Sequence, residues 1–290
     1  MQRLFITGGT GYLGGELVRQ ARAQGWQVAA TYFSHPPQVA ADDAQLLWVS
    51  LDVRDMLQVE EALDAFQPDL IIHTSFQQSG PDLWPVTAEG ARNVSAAAQA
   101  LGVRLIHMSS DVIFDGEREG AYTEGDAPSP VSPYGAAKAA AEQFVTEHAP
   151  DAVLVRTSLI YGFTPVDRHT RFVLDIADGR NAAQLFYDEY RCPIFVGDLA
   201  AALLELAQSD YRGVLNIAGA ECLSRHEFGM LLAQHHGRDP AQLPGNLSVD
   251  SAVRRPRNCR LDSSLARQLL QTPLRGVRAV LESHQATANQ

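Results

Sequence analysis

Short apolar runs and longer helical stretches alternate through the first two-thirds of the chain. Leu4 to Ile6, Trp26 to Tyr32, Leu46 to Val49, Asp69 to His73, Val103 to Met108 and Val153 to Arg156 read as strands. Between them, Tyr12 to Ala23, Asp55 to about Phe66, Ala88 to Leu101 and Ser132 to about His148 read as helices. Asp55 reads as an N-cap with Gln58 three residues on. Ser132 and Pro133 occupy the preferred N-cap and first-turn positions of the fourth helix. The strands are nearly continuous in apolar residues, as strands covered on both faces are. Such strands alternating with helices predict an α/β fold built on a doubly wound parallel sheet.

Beyond about residue 160 the rhythm loosens. Helices are expected at Arg168 to Asp178, Leu199 to Ala207, Arg225 to His235 and Ser263 to Gln271, and short strands at Gln184 to Tyr187 and Val214 to Ile217. The expected division is a sheet domain over 1–160, with some later segments returning to it, and a smaller mixed region over 161–290. The polar tail from Glu282 to Gln290 is expected to fray.

The first strand runs into Thr7-Gly8-Gly9-Thr10-Gly11-Tyr12-Leu13-Gly14, which opens the first helix. Glycine at 8, 11 and 14 permits a tight turn and close approach of backbone to a pyrophosphate. The helix N-terminus offers the phosphates free N–H groups and the positive end of a dipole. A glycine turn placed in a strand–turn–helix unit reads as a Rossmann dinucleotide site. Its residues are Gly8, Thr10, Gly11, Tyr12, Leu13 and Gly14. An acid ending the second strand would bind the ribose 2′-hydroxyl of NAD. Here Ala30-Thr31-Tyr32-Phe33-Ser34-His35 has none, so Ser34 and His35 are the candidate 2′-phosphate contacts. NADP is therefore expected, with NAD an open alternative. Asp52-Val53, after the third strand, is the candidate adenine contact.

Tyr134-Gly135-Ala136-Ala137-Lys138 places a phenol and an ammonium on one helix face at i and i+4. A neighbouring cation stabilises phenolate and lowers its pKa from about 10 toward the range of a working acid. The fifth strand ends in Ser109-Ser110-Asp111, at the edge of the sheet where ligands bind in such folds. His73 and His107 lie inside strands and read as packed core residues.

Net charge is −11, from 34 acidic and 23 basic residues. That argues against nucleic-acid binding and against anionic membrane surfaces. No apolar run is long enough to cross a membrane, and the chain opens without a signal-peptide pattern, so a cytoplasmic location is expected. Cys192, Cys222 and Cys259 are widely spaced and odd in number. They are read as small buried side chains in a reducing compartment; no disulfide and no metal site is expected.

These motifs together identify the chain as resembling the extended short-chain dehydrogenase/reductases, in the dTDP-4-dehydrorhamnose reductase branch. Ser109 to Asp115 is similar to that branch's S-T-D-Y-V-F-D segment. Asp188-Glu189-Tyr190-Arg191-Cys192-Pro193 is similar to its D-Q-Y-G-x-P loop, and Arg255 to Asp262 to its R-P-x-N-S-R-L-D segment. The resemblance implies that Ser110, Tyr134 and Lys138 are catalytic. Tyr134 would donate the proton, Lys138 would hold the nicotinamide ribose, and hydride would pass to a sugar 4-ketone. It implies a nucleotide-sugar substrate contacted by Asp111, Arg255 and Asn258. Thr74-Ser75-Phe76-Gln77 departs from the branch's small-residue run beside the nicotinamide, as Arg191 and Cys192 depart from its loop.

Two further readings stay open. One is a non-catalytic dinucleotide binder resembling the regulatory β subunit of methionine adenosyltransferase. The other is reductase or epimerase chemistry on a different sugar or carbonyl. A 4,6-dehydratase is disfavoured because Val112, not a second acid, follows Asp111. Whether the assembly is a monomer or a homodimer is also open.

Overall fold

The structure is a computed structural model describing residues 2–37, 43–251 and 253–288. The glycine turn separates strand β1 (Arg3–Thr7) from helix α1 (Tyr12–Ala23). Then follow β2 (Gln27–Tyr32), β3 (Leu46–Ser50), α2 (Met56–Phe66), β4 (Leu70–His73), α3 (Gly90–Ala100), β5 (Arg104–Met108), α4 (Pro133–His148) and β6 (Val153–Arg156). A later strand, β7 (Gly213–Asn216), completes a seven-stranded sheet in the order β7-β6-β5-β4-β1-β2-β3. The pairings among β1 to β6 are parallel. Strand order reverses between β1 and β4, and the crevice at such a reversal is where open α/β sheets bind ligands.

Side-chain chemistry accounts for these elements. The four residues of β4 are all buried, as are Leu4, Phe5 and Ile6 of β1. Asp55 caps α2 by accepting from Leu57 N (3.1 Å) and Gln58 N (3.3 Å). The Gln58 amide binds the Asp55 carboxylate (2.9 Å) rather than completing a reciprocal capping box. Val59, Leu63 and Phe66 of α2, Val94, Ala97 and Ala98 of α3, and Ala141 and Val145 of α4 pack on Phe5, Ile71 and Leu105 of the sheet. Burying each large apolar side chain contributes about 1.5–3 kcal/mol. The alanines let the backbones of α3 and α4 approach.

Contacts divide the chain into two compact units. The first holds Met1–Ser110, Pro133–Val155 and Ala200–Leu215; the second holds Asp111–Ser132, Arg156–Leu199 and Asn216–Gln290. In the second unit, Val173 and Ile176 of α5 (Arg168–Ala177) meet Phe228 and Leu232 of α7 (Arg225–His235) around Tyr161. Helix α6 (Val196–Ala207) leads the chain back toward β7.

The strand read from Val214 is a later segment of the kind expected to return to the sheet: its chain lies against β6, with Gly213 N donating to Ala152 O (3.0 Å). Other expectations need correction. A wide helical turn at Pro85–Glu89 precedes α3, so the helix read from Ala88 begins in different geometry. The tail is helical rather than frayed at its start. Val277–Ala288 forms a helix whose Val277, Val280 and Leu281 enter the second unit's core; the last two residues lie outside the described set. Two-residue strands such as Tyr190–Arg191 and Leu223–Ser224 are too short to show a period. Among the described residues, no helix is long and apolar enough to cross a membrane. Cys192 and Cys259 are buried, but Cys222 is exposed.

Candidate active site

The glycine turn is built as a cradle. Gly8 has φ +70°, where a side chain is strained, and a Cβ there would lie 3.0 Å from Ser75 Oγ and 3.1 Å from Thr74 Oγ1. A Cβ on Gly14 would lie 2.1 Å from Gly8 O, which no side chain tolerates. Gly11 is open apart from Gly8 O at 3.0 Å. Gly11 is also the N-cap of α1, makes no side-chain cap, and is followed by no acid in the first turn. That leaves a helix N-terminus free of competing negative charge, which suits a phosphate. Thr10 is exposed, whereas the Leu13 side chain is buried, so Leu13 offers only its backbone. Thr74 tethers the end of β4 to β1, its hydroxyl donating to Thr7 O (2.7 Å). Ser75 N adds a contact to Thr7 Oγ1 (3.3 Å). The residues present fit a dinucleotide.

At the far side of the turn, Ser34 and His35 are exposed and bonded to each other (Oγ to Nδ1, 2.8 Å). Asp52 already has a partner within the chain. Both its oxygens are engaged by Arg54, with Nη2 to Oδ2 at 2.7 Å and Nε to Oδ1 at 2.9 Å. This pairing holds the Asp52 carboxyl below its ordinary pKa. The Val53 side chain is buried, and its carbonyl accepts from Asn93 Nδ2 (3.1 Å). Arg54, which the sequence reading passed over, is held by Asp52 and by Asp82 (2.7 Å), with its guanidinium 5.3 Å from the exposed Phe33 ring. An arginine two residues after the strand-end acid was the available signal.

Lys138 is buried on α4 and its Nζ donates to Met108 O (2.8 Å), the last carbonyl of β5. Burial pulls its pKa down to about 8, opposed by Glu142. Ser110 lies two residues beyond Met108 and is half-buried, while Ser109 is buried. Tyr134 is half-buried one helical turn before Lys138. Phe76 joins the pair, its ring centroid 5.8 Å from that of Tyr134 and 5.2 Å from Lys138 Nζ. This contact was not anticipated; a large ring in place of the expected small residue was its only trace.

Beneath Lys138, Thr7, His73 and His107 form one buried row across β1, β4 and β5. His73 Nδ1 lies 2.7 Å from Thr7 Oγ1, and the two imidazoles stack at 5.2 Å. Burial, then the Lys138 charge, pushes His73 down to about 3. His73 is thus neutral when folded, while the unfolded chain protonates it near pH 6.5. The unfolded state binds more protons between these values, so stability is lost as pH falls from 6.5 toward 3. At about 1.36 kcal/mol per unit, the loss from pH 7 to 5 is on the order of 2 kcal/mol. His73→Asn should flatten that slope in urea unfolding at the two pH values; equal slopes would refute the assignment.

In the second unit, a cavity of about 380 Å³ is lined by Arg225, Arg255, Phe172, Phe186, Asn246 and Ser251, among others. Arg255 pairs closely with the buried Glu189 and lies 5.3 Å from the Phe186 ring. Among the described residues the buried Arg225 Nη1 has no hydrogen-bond partner, and burial lowers the Arg225 pKa to about 10. Asn258 and Asp111 do not line this cavity. The Asn258 amide donates to Arg118 O (2.5 Å) and Glu119 O (3.1 Å), and its oxygen accepts from Arg260 Nε (2.8 Å). It clamps that loop. Asp111 is buried, accepts from Ser158 Oγ (2.6 Å) and faces Arg191 Nε at 3.7 Å, so its carboxylate is already paired.

The family described as RmlD substrate binding domain matches residues 1–289. A probable low-salt glycan biosynthesis reductase of Haloferax volcanii is 30% identical, over 90% of this chain and 89% of its own. The dTDP-4-dehydrorhamnose reductase of Mycolicibacterium smegmatis is 30% identical over 97% and 84%. Methionine adenosyltransferase 2 subunit beta of Rattus norvegicus is 27% identical over 91% and 81%. A Bacillus anthracis dTDP-4-dehydrorhamnose reductase crystallised with NADP shares the fold, with a TM-score of 0.81 at 24% identity over 98% of each chain. With nearly every residue matched, the chain belongs to the RmlD substrate binding domain family.

Proposed function

We propose that this protein is an NADPH-dependent reductase of nucleotide-linked 4-keto sugars. The observation that carries this is the buried Lys138, anchored to Met108 O at the end of β5, with Tyr134 on the same helix one turn before it. When bound, a nicotinamide dinucleotide supplies the hydride. The cradle from Gly8 to Gly14 would hold its pyrophosphate, and Ser34, His35 and Arg54 its adenosine side. Tyr134 gives its phenolic proton to the ketone oxygen. Ser110 donates a hydrogen bond to that same oxygen as negative charge develops there. Lys138 keeps a positive charge close to the phenol, favouring its ionised form once the proton has left. Phe76 packs beside both groups.

Arg225 is the cation the cavity offers a nucleotide's diphosphate, with Arg255, shared with Glu189, beside it and Phe172, Phe186 and Asp250 also in the lining. Arg255→Ala should raise KM for a nucleotide-linked sugar by about 10–100-fold, the worth of a charge-assisted hydrogen bond, and leave NADPH affinity unchanged. Steady-state kinetics beside a cofactor titration checks this; an unchanged KM rules the cavity out.

Since two carboxylates already neutralise Arg54, the preference for NADPH over NADH should be modest, about tenfold or ~1.4 kcal/mol. The test is a screen of NADPH and NADH oxidation against a panel of nucleotide-linked keto sugars. Turnover of a 4-keto sugar supports the proposal. Cofactor binding with no turnover across the panel would favour the partner-protein reading instead.

A further inference from the structure

The second unit brings together two cysteines that lie thirty residues apart in sequence. Leu223–Ser224 pairs antiparallel with Tyr190–Arg191, with Leu223 opposite Arg191 and Ser224 opposite Tyr190. Continuing that register one step places Cys222 opposite Cys192. On the other side of the ladder Arg225 N donates to Glu189 O (2.8 Å). Antiparallel ladders alternate hydrogen-bonded and non-hydrogen-bonded pairs, which makes Cys222/Cys192 a non-hydrogen-bonded position. Opposed Cα atoms there lie about 4.5 Å apart, at the short end of the roughly 4.4–6.8 Å that a disulfide spans. Facing each other across the ladder, the two thiols act on each other's ionisation. Both residues are free thiols, Cys222 exposed and Cys192 buried.

We propose that Cys222 and Cys192 are an oxidant-reactive thiol pair, with Cys222 the attacking thiol and Cys192 the resolving one, closing to an intramolecular disulfide on exposure to a peroxide. The charges agree with this division of labour. The hydrogen bond from Cys192 is the largest influence on Cys222; against some burial, and with Arg260 and Arg267 assisting, it brings that thiol down to about 7. The same hydrogen bond, together with burial, pushes Cys192 up, so it stays protonated until Cys222 has reacted. The Cys222 thiolate attacks the peroxide O–O bond. An S–O bond forms, the O–O bond breaks, and the departing hydroxide takes a proton to leave as water. Cys192 then gives up its proton as its sulfur attacks the Cys222 sulfenic sulfur. The S–S bond forms, the S–O bond breaks, and a second water leaves. Two thiols are oxidised by two electrons and one peroxide is reduced to two waters. The bond would join the strand that follows Glu189 to the strand that precedes Arg225, the Arg255 partner and a cavity residue respectively.

The test uses the full, reduced chain and stoichiometric hydrogen peroxide, followed by alkylation under denaturing conditions and peptide mapping without reductant. The expected result is a Cys192–Cys222 linked peptide, two hydrogens lighter than its parts, cleaved by dithiothreitol, with Cys259 alkylated. Cys222→Ser should abolish it, and Cys192→Ala should leave a Cys222 sulfenic acid that dimedone traps. Native alkylation of Cys222 at pH 7 should run about threefold faster than that of an ordinary exposed thiol and slow in Cys192→Ala. A dimedone adduct on Cys222 in the unaltered chain without the linked peptide would overturn the pairing, as would a bond to Cys259. Cys222 left unmodified would overturn the reactivity.

Discussion

Tyr134→Phe should slow turnover by roughly 10²–10⁴-fold, the usual worth of general acid–base catalysis, and leave dinucleotide affinity nearly unchanged. The substitution removes one oxygen from a half-buried ring and keeps the ring's packing against Phe76 (centroids at 5.8 Å). Lys138 stays anchored to Met108 O because that bond does not involve the phenol. What is lost is the proton for the ketone oxygen as negative charge builds on it. At about 1.36 kcal/mol per tenfold, the loss is roughly 3–5 kcal/mol of transition-state stabilisation. Such an interaction acts on kcat rather than on ground-state binding. The measurement is single-turnover reduction beside cofactor titration for both proteins. Equal rates would remove Tyr134 from the mechanism.

Gly14→Ala is the second large effect expected, and here binding is what fails. The added carbon would sit 2.1 Å from Gly8 O and 3.0 Å from the Gly9 Cα, both backbone atoms. Nothing flexible is available to move, so the turn itself must open. Overpacking of this kind costs about 1–3 kcal/mol of stability. Displacing the N–H groups that face a pyrophosphate should cost about 100-fold in dinucleotide affinity, on the order of 2.7 kcal/mol. Gly11→Ala is the informative contrast, since its carbon meets only Gly8 O at 3.0 Å. That variant should cost less stability than Gly14→Ala, so a loss of affinity out of proportion to its melting shift reports the ligand's own space. Thermal melts with isothermal titration separate the two; wild-type affinity in Gly14→Ala would show that the turn does not hold the dinucleotide.

The features legible in the sequence are those that local spacing determines. The glycine turn, the Asp55 cap and the Tyr134/Lys138 face each lie within a few residues, where backbone geometry fixes who meets whom. The sheet followed from apolar runs that only a parallel, two-sided layer can bury. Other residues turn on packing rather than spacing. Asp52 and Asn258 were read as ligand contacts because they are polar and well placed; in the structure Asp52 holds Arg54 and Asn258 holds the 118–120 carbonyls. Sequence shows that a group can bond, not that a bond is already made. The cysteine pair was invisible because it depends on the register of two-residue strands. Phe76 looked like a departure from pattern until its ring was seen against Tyr134 and Lys138.

The way the chain is threaded through its two units also limits how the protein can be taken apart. It passes from one unit to the other after Ser110, Ser132, Val155, Leu199 and Leu215. No single cut can release either unit, and a fragment ending near residue 160 would carry the 111–132 segment without its partners and lack the strand at Gly213–Asn216. Recombination between relatives meets the same constraint. A crossover at one point mixes segments of both units, whereas a graft of 111–132, 156–199 and 216–290 together moves one unit whole. Chimeras intended to exchange the second unit while keeping the parental glycine turn must therefore be built from three coordinated inserts.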